Sequence, residues 1–474
     1  MEIFAAVSSH QDCPEPAIQR LLAEPAMPEH TTSSAFRTVA ALDDGHLDPL
    51  QTGWLLDTQH RDGSWGGAIP FAPDRCLNTL AAVVALTEAD LADPDGGPDV
   101  LPATHAGVAY LWNALSGVRE DDPRRPPNFA THLSILLHRA RELNLPLPYP
   151  NLTDLVATHC EKPLAPNDST LCLGTVEELE ALWTALTLAR SGVPGELLRA
   201  SVAALGMPSG DGLADTSTGA KARVETGGDS GSDAAVAAVA DAGAVADAGA
   251  GAVASASAEA VAGASGGAEA DRLAILLALR GYCGLPVDQD LIARLNSSDT
   301  DPIHLIGALA TDPGRHSAAR SDVLGQLRDH RTESAYWQHR WHLSPYHSTW
   351  LVLTAADGLD DGVREEAVDW LMSTQRADGS WGVGGGTVEE TAYAVSSLLA
   401  MAPGSLVMRQ AVAMGMDHLE AWRNEPWPEL WVGAVLFAPR RVVRAAVLGA
   451  RYRYSRWLAE QGAEHSCEVL PAGQ

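Results

Sequence analysis

Three groups of residues in this chain have types and spacings that could do chemistry. Glu269 and Asp271 stand two positions apart, just before the apolar helical run LAILLALRGYCG (273–284). A carboxylate near a helix start is favoured by the helix dipole whatever its task, whereas one kept protonated and dry can act as a general acid. Glu120, Asp121 and Asp122 cluster in the polar turn REDDPRRPP (119–127). Carboxylate oxygens suit a hard divalent cation, although clustered acids in a turn are more often simply solvated. The third group is AYWQHRWHLSPYHSTW (335–350), which carries Tyr336, Trp337, Trp341, His342 and Tyr346. Aromatic faces attract cations, but for any one of these rings core packing is the commoner use. A buried histidine with satisfied nitrogens is likewise the commoner reading of His342. Cys13, Cys76, Cys160, Cys172, Cys283 and Cys467 are scattered without a C-x-x-C pair, which indicates neither a zinc site nor a disulfide framework.

Helices must position these groups. Helical periodicity runs through LNTLAAVVALTEADLA (77–92), SILLHRARELNL (134–145) and VEELEALWTALTLARSG (176–192), with Pro, Gly and Asp punctuation between them. Strand-like alternation is nearly absent, so the fold class expected is all-α. One pattern recurs: QHRDGSWGGAIPF at 59–71 and QRADGSWGVGGGT at 375–387. Asp-Gly makes a tight turn, the indole covers a neighbouring helix end, and Gln satisfies exposed backbone groups. The motif reads as a clamp between helix hairpins, and repeated hairpins suggest a closed ring or solenoid. A weaker echo, PSGDGLADTSTGAKA (208–222), keeps the turn without the Trp. Residues 227–267 are almost all Ala, Gly, Ser, Val and Asp. Side chains that small cannot fill a core, so this stretch is expected to be a linker.

The 474 residues carry 61 Asp and Glu against 32 Lys and Arg, a net charge of −29. Such a surface repels a phosphate backbone, and nucleic acid is not an expected partner. The start MEIFAAVSSHQDCPEP lacks the basic and apolar regions of a signal peptide. No apolar run approaches the ~18 residues of a membrane span. A soluble, cytoplasmic protein is expected.

The doubled Gln-x-x-Asp-Gly-Ser-Trp-Gly pattern resembles that of the triterpene and class II diterpene cyclase superfamily. DGSWGGAIPFAPDRCLNTLAAVVAL (62–86) and ARELNLPLPYP (140–150) are similar to the γ domain of copalyl diphosphate synthase-type enzymes. AYWQHRWHLSPYHSTW, TVEETAYAV (387–395) and PELWVGAVLFAPRRVVRAAVLGARY (428–452) are similar to their β domain, in the same order. The resemblance implies two α/α-barrel (toroid) domains in the βγ arrangement with the active site between them. The expected boundaries are a β-like N-terminal segment at 1–14, a γ-like barrel at 15–226, the linker at 227–267 and a β-like barrel at 268–474.

The resemblance also implies a reaction. Class II cyclases protonate the terminal alkene of geranylgeranyl diphosphate, let the cation run through ring closures and end by deprotonation with the diphosphate retained. Their acid is the middle Asp of an Asp-x-Asp-Asp-Thr-Ala motif, which maps here onto Glu269, Ala270, Asp271, Arg272, Leu273 and Ala274. Asp271 is therefore expected to be the general acid, with Glu269 beside it. Arg272 stands where the family has an acid; a guanidinium meeting Asp271 would favour the carboxylate, so Arg272 is expected to point elsewhere. Tyr336, Trp337, Trp341 and Tyr346 are expected to stabilise cations, and His342 to orient an acid or take the final proton. Glu120, Asp121 and Asp122 match a motif that binds Mg2+ and the diphosphate. The expected product is a bicyclic, labdane-type diphosphate, with farnesyl diphosphate as a shorter substrate. The alternative is a degenerate paralogue that keeps the toroid as an isoprenoid- or partner-binding protein. That alternative draws on the altered acid motif, on the shortened stretch before it, and on Ala434 at a position where related sequences often carry Lys.

Overall fold

The computed structural model describes residues 14–24, 34–40, 42, 47–92, 99–114, 117–118, 126, 129–158, 176–205, 269–297, 300–402, 404–421, 427–433 and 435–468. The linker stretch, the turn with Glu120, Asp121 and Asp122, the echo at 208–222 and Ala434 all lie outside the described residues. Helices dominate. In chain order they are α1 (Glu15–Ala23), α2 (Ala35–Ala40), α3 (Pro49–Thr58), α4 (Ala72–Ala92), α5 (Val100–Ala114), α6 (Phe129–Glu142), α7 (Tyr149–Thr158), α8 (Val176–Arg190), α9 (Gly195–Ala204) and α10 (269–282). Then follow α11 (Gln289–Leu295), α12 (Pro302–Leu309), α13 (Ser317–Asp329), α14 (Pro345–Ala355), α15 (Asp361–Ser373), α16 (Val388–Ala400), α17 (Leu406–Ala421) and α18 (Arg440–Glu468). A two-stranded antiparallel ribbon, β1 (Trp431–Val432) and β2 (Leu436–Phe437), precedes α18. The all-α expectation holds. Among the described residues no helix is long and apolar enough to cross a membrane.

The apolar side chains form two cores, and these divide differently from the expected boundaries. One is built from α2 to α7 around α4, which is buried on all sides from Pro73 to Leu86. The other gathers α10 to α18 but also Ile18 and Leu21 of α1, Leu182 to Ala189 of α8, and Leu198 and Val202 of α9. The span 15–226 is thus not one unit: its first helix and its last two belong to the second core. Sequence order misled because α8 and α9 precede the low-complexity stretch, whereas the apolar face of α8 is covered by α18, far along the chain.

Both clamps form as expected, and with matching geometry. Gln59 Nε2 donates to the carbonyls of Gly63 and Ala103 at 3.0 and 2.9 Å. Gln375 Nε2 does the same to Gly379 and Ala411 at 3.1 and 2.9 Å. The indoles of Trp65 and Trp381 donate to the carbonyls of Leu55 and Leu371, each at 2.7 Å. Gly63 and Gly379 sit at φ +87° and +83°, where a Cβ would also strike the backbone of Ala106 or Met414, so only glycine fits without strain.

A third clamp is hidden in the sequence. Trp337 Nε1 donates to the Leu327 carbonyl at 2.6 Å, ten residues back like the other two. Its backbone N–H donates to Thr349 Oγ1 at 3.3 Å, as those of Trp65 and Trp381 do to Thr79 and Thr391 at 3.0 Å. Ala335, at φ +68°, takes the glycine place. Arg331, six residues before the Trp as Gln59 and Gln375 are before theirs, reaches the Val363 carbonyl at 3.5 Å.

Candidate active site around Asp271

Asp271 lies in the first turn of α10 and is fully buried. The donors around it come from two segments, the start of α12 and the adjacent pair Arg340 and Trp341. Asp301 is the N-cap of α12: its side chain accepts the Ile303 N–H at 2.9 Å and Pro302 opens the helix. Its own backbone N–H therefore stays outside the helix ladder and donates to Asp271 Oδ1 at 2.7 Å. The indole of Trp341 donates to Oδ2 at 3.0 Å, and Arg340 Nε stands 3.4 Å from the same oxygen. Burial pushes the carboxyl upward and the nearby Asp301 charge adds to it; Arg340 and the two donors pull the other way. The balance lies at about 7 against the ordinary 3.8. With its carboxyl raised this far, Asp271 retains a protonated population at neutral pH, the form a general acid needs.

Arg272 is turned to Glu269 on its own helix. Its Nε and Nη2 bond Glu269 Oε2 and Oε1 at 2.8 and 2.7 Å. The expectation that Arg272 avoids Asp271 agrees with this geometry. Glu269 departs from its expected place, because its two oxygens are engaged by Arg272 one turn along instead of meeting Asp271. The guanidinium that approaches Asp271 is Arg340, from a segment 70 residues away by the Trp341 contact it adjoins.

Next to Trp341 lies a buried cluster of rings: Trp183 of α8, His304 of α12, His339, His342, His347 of α14, Tyr393 of α16 and Trp431 of β1. Backbone donors set the histidine tautomers. The Trp341 N–H donates to His339 Nδ1 at 3.1 Å, so His339 carries its proton on Nε2, which faces His347 Nδ1 at 2.8 Å. His347 then holds its proton on Nε2, where no polar partner meets it. Burial pushes His339 and His347 well below the usual histidine range, and His304 down to about 3, so all three are neutral at pH 7. His342 accepts the Ser344 N–H on Nδ1 at 3.0 Å and points Nε2 at Glu389 Oε1, 3.4 Å away. That same oxygen accepts the Trp431 indole at 2.7 Å and the Tyr393 hydroxyl at 3.2 Å, while Oε2 is buried without a partner.

Of the residues expected in the site, Asp271 and Trp341 come together. His342 contacts an acid, but that acid is Glu389. Trp337 is the third clamp tryptophan, a correction to its expected place facing a cation. Tyr336 and Tyr346 pack on Trp370 of α15, with centroids 5.1 and 4.8 Å away, and not in the ring cluster. Sequence reasoning passed over Arg340, Trp183, Glu389 and Trp431. A faint signal existed for Glu389, since a pair of acids inside the apolar stretch TVEETAYAV requires buried partners; the second, Glu390, is spent on Thr387 Oγ1 and the Val383 N–H, at 2.9 and 3.1 Å. Among the described residues no group of three or more His, Cys, Asp or Glu could hold a metal ion.

No protein-family model matches the chain. Comparison with individual proteins is more telling. Labda-7,13-dienyl diphosphate synthase of Streptomyces clavuligerus is 29% identical, over 85% of this chain and 86% of its own. The type B diterpene cyclase of Mycobacterium tuberculosis is 25% identical over 91% and 97%. Ent-copalyl diphosphate synthase of Streptomyces sp. (strain KO-3988) is 36% identical over 33% and 32%. Among solved structures, ent-copalyl diphosphate synthase from Streptomyces platensis shares the fold with TM-score 0.63 at 21% identity, covering 93% of this chain and 99% of that one. These curated relatives are bacterial class II diterpene cyclases and copalyl diphosphate synthases, the proteins that the sequence motifs resemble.

Proposed function

We propose that this protein is a working class II diterpene cyclase in which Asp271 protonates the terminal alkene of geranylgeranyl diphosphate. The observation that carries this reading is a buried carboxyl poised near neutrality, bonded on one oxygen to an indole and on the other to a backbone N–H. An alkene is a very weak base, so its proton donor must be neutral, dry and fixed in direction. Protonation leaves a tertiary cation, each ring closure consumes one alkene, and loss of a proton to a base ends the sequence. The diphosphate stays on and the whole is an isomerisation to a bicyclic, labdane-type product. Trp341, which bonds Asp271, and Trp183 and Trp431 of the adjoining ring cluster are the rings proposed to stabilise passing positive charge. The neutral histidines add polarity without a repelling charge. Farnesyl diphosphate is the shorter candidate substrate.

The diphosphate requires a counter-charge in a chain of −29. Glu120, Asp121 and Asp122 holding Mg2+ is the arrangement proposed, and the cytoplasm the proposed location. Those three acids lie outside the described residues, and the steps above are written for the chain's own groups. A second reading, a degenerate isoprenoid- or partner-binding toroid, has one observation in its favour: Arg340 beside Asp271 favours the anion. Incubating purified protein with geranylgeranyl and farnesyl diphosphates, with and without magnesium, then dephosphorylating and analysing the hydrocarbon skeleton, separates the two. A cyclised alcohol from either substrate supports the first reading. Recovery of only linear alcohols under all conditions transfers the protein to the second.

A further inference from the structure

At the opposite end of α10 from Asp271, a cleft of about 380 Å³ opens between the C-terminal ends of α8, α10, α12 and α14 and the side of α18. Eleven residues separate Asp271 from Tyr282 in the cleft wall, about 16 Å along a helix. Arg190 and Arg453 both line it. Arg453 places one nitrogen on the carbonyl of Arg190, the terminal residue of α8, where a cation offsets the negative helix end. The Nε of each guanidinium is nevertheless buried without a hydrogen-bond partner, and among the described residues neither forms an ion pair. The acidic groups that face Arg190 are Asp357, beyond bonding distance, and the Tyr282 hydroxyl, which is itself donated to the Val193 carbonyl at 2.8 Å. Arg453 faces Tyr282 and a like charge, Arg456. Burial penalises both cations, Arg190 down to about 10, a level at which it is still charged at neutral pH. Gly307 of α12 makes the space: a Cβ there would run into Arg190 Nη2.

Two partly desolvated cations share one cleft in a chain that is otherwise strongly acidic, and among the described residues the Nε donor of each is unspent. We infer that this cleft binds a phosphate-type oxyanion, bridging Arg190 and Arg453, at a site separate from the one around Asp271. Arg guanidinium suits such an anion through charge-assisted, forked donation. Leu186, Ala189, Ala278 and Leu279 give the cleft an apolar wall, so a free anion and the headgroup of an isoprenoid phosphate are two sources of the same chemistry.

The full chain in EDTA, which removes any magnesium-held diphosphate, is titrated calorimetrically with sodium diphosphate, sodium phosphate and geranyl diphosphate against chloride at matched ionic strength. One site per chain is expected for diphosphate. Arg190→Gln and Arg453→Gln are each expected to weaken it at least tenfold, and Asp271→Asn to leave it unchanged. Gly307→Ala is the second line of test: alanine improves helix propensity, so loss of binding there reflects the displaced Arg190 and not a failed fold. Geranyl diphosphate binding tighter than inorganic diphosphate identifies a lipid headgroup, and equal binding a free anion. No heat beyond the chloride control, binding that survives Arg190→Gln and Gly307→Ala, or binding lost in Asp271→Asn overturns the inference.

Discussion

Asp74 of the first core and Asp271 of the second are the same residue type, each within the first turn of a helix and each buried, yet they are wired differently. Asp74 Oδ1 accepts the Leu436 N–H at 2.7 Å and Asn78 Nδ2 at 2.9 Å, and Oδ2 accepts the Gly67 N–H at 2.9 Å. Leu436 belongs to the ribbon that sends Trp431 into the second core, while Val435, one residue earlier, is part of the first. Asp74 thus fastens the two cores together, and three donors leave it little freedom to present a proton. Gly66 is needed beside it, at φ +135° and too near Asp74 Oδ2 for a Cβ. Asp271 has two donors and a guanidinium at the margin of contact. Burial raises both carboxyls, so burial alone does not make an acid catalyst. What distinguishes them is how many lone pairs the fold has already committed.

The strongest way to break this contrast is Asp271→Asn. The amide keeps the shape and removes the acidic proton, so turnover is expected to fall by ~10²–10⁴-fold, with unchanged circular dichroism. Undiminished product formation would mean that another group, with Glu389 the first to test, delivers the proton.

Trp337→Ala asks whether the third clamp is structural. Loss of a buried indole costs ~3–5 kcal/mol, and denaturant unfolding should show a loss matching those of Trp65→Ala and Trp381→Ala. A variant that folds normally but makes altered products would return Trp337 to the substrate pocket.

Asp74→Asn should act on stability before chemistry. Its amide turns a donor toward N–H groups that need an acceptor, at a cost of ~1–3 kcal/mol. Turnover per folded molecule is expected to stay within a few-fold of wild type, measured with active-site-independent folding controls. A loss as deep as that of Asp271→Asn would erase the distinction between the two acids.

Acidity gives a gentler probe. With Asp271 at about 7, the neutral form is lost as pH rises, and kcat should fall by about tenfold per pH unit above that point. The sign for stability follows from the same shift: the folded state holds this proton more tightly than the unfolded chain, so stability declines between about pH 4 and 7 and levels off above. Arg340→Gln removes a charge that favours the anion and should move the kinetic break to higher pH. A break that stays in place assigns it to another group. The smallest expected effect is Ala335→Gly, which relieves a left-handed alanine at φ +68° and should stabilise by ~1 kcal/mol; a destabilised variant would show that Ala335 is not the counterpart of Gly63 and Gly379.

Helical class, two of the clamps and the place of Asp271 at a helix start were legible in the chain itself, because each rests on local chemistry. Periodicity follows from which side chains can share a helix face, Asp-Gly-Ser-Trp builds its own turn, and a carboxylate at the head of α10 is two residues from its motif partner wherever it folds. Arg272 could be assigned away from Asp271 for the same reason, since adjacent helical residues diverge. The rest depended on distance in three dimensions. Trp337 lacks the local signature because Ala335 and Arg331 stand where the other clamps have Gly and Gln, and its bonds to Leu327 and Thr349 disclose it. Arg340, Trp341 and the Asp301 N–H meet Asp271 across 30 to 70 residues of chain, and the joining of α1, α8 and α9 to the second core depends on packing against α18. A sequence states which groups can ionise or donate. The tertiary structure decides which of them lose water together, and that loss of water sets Asp271 near neutrality.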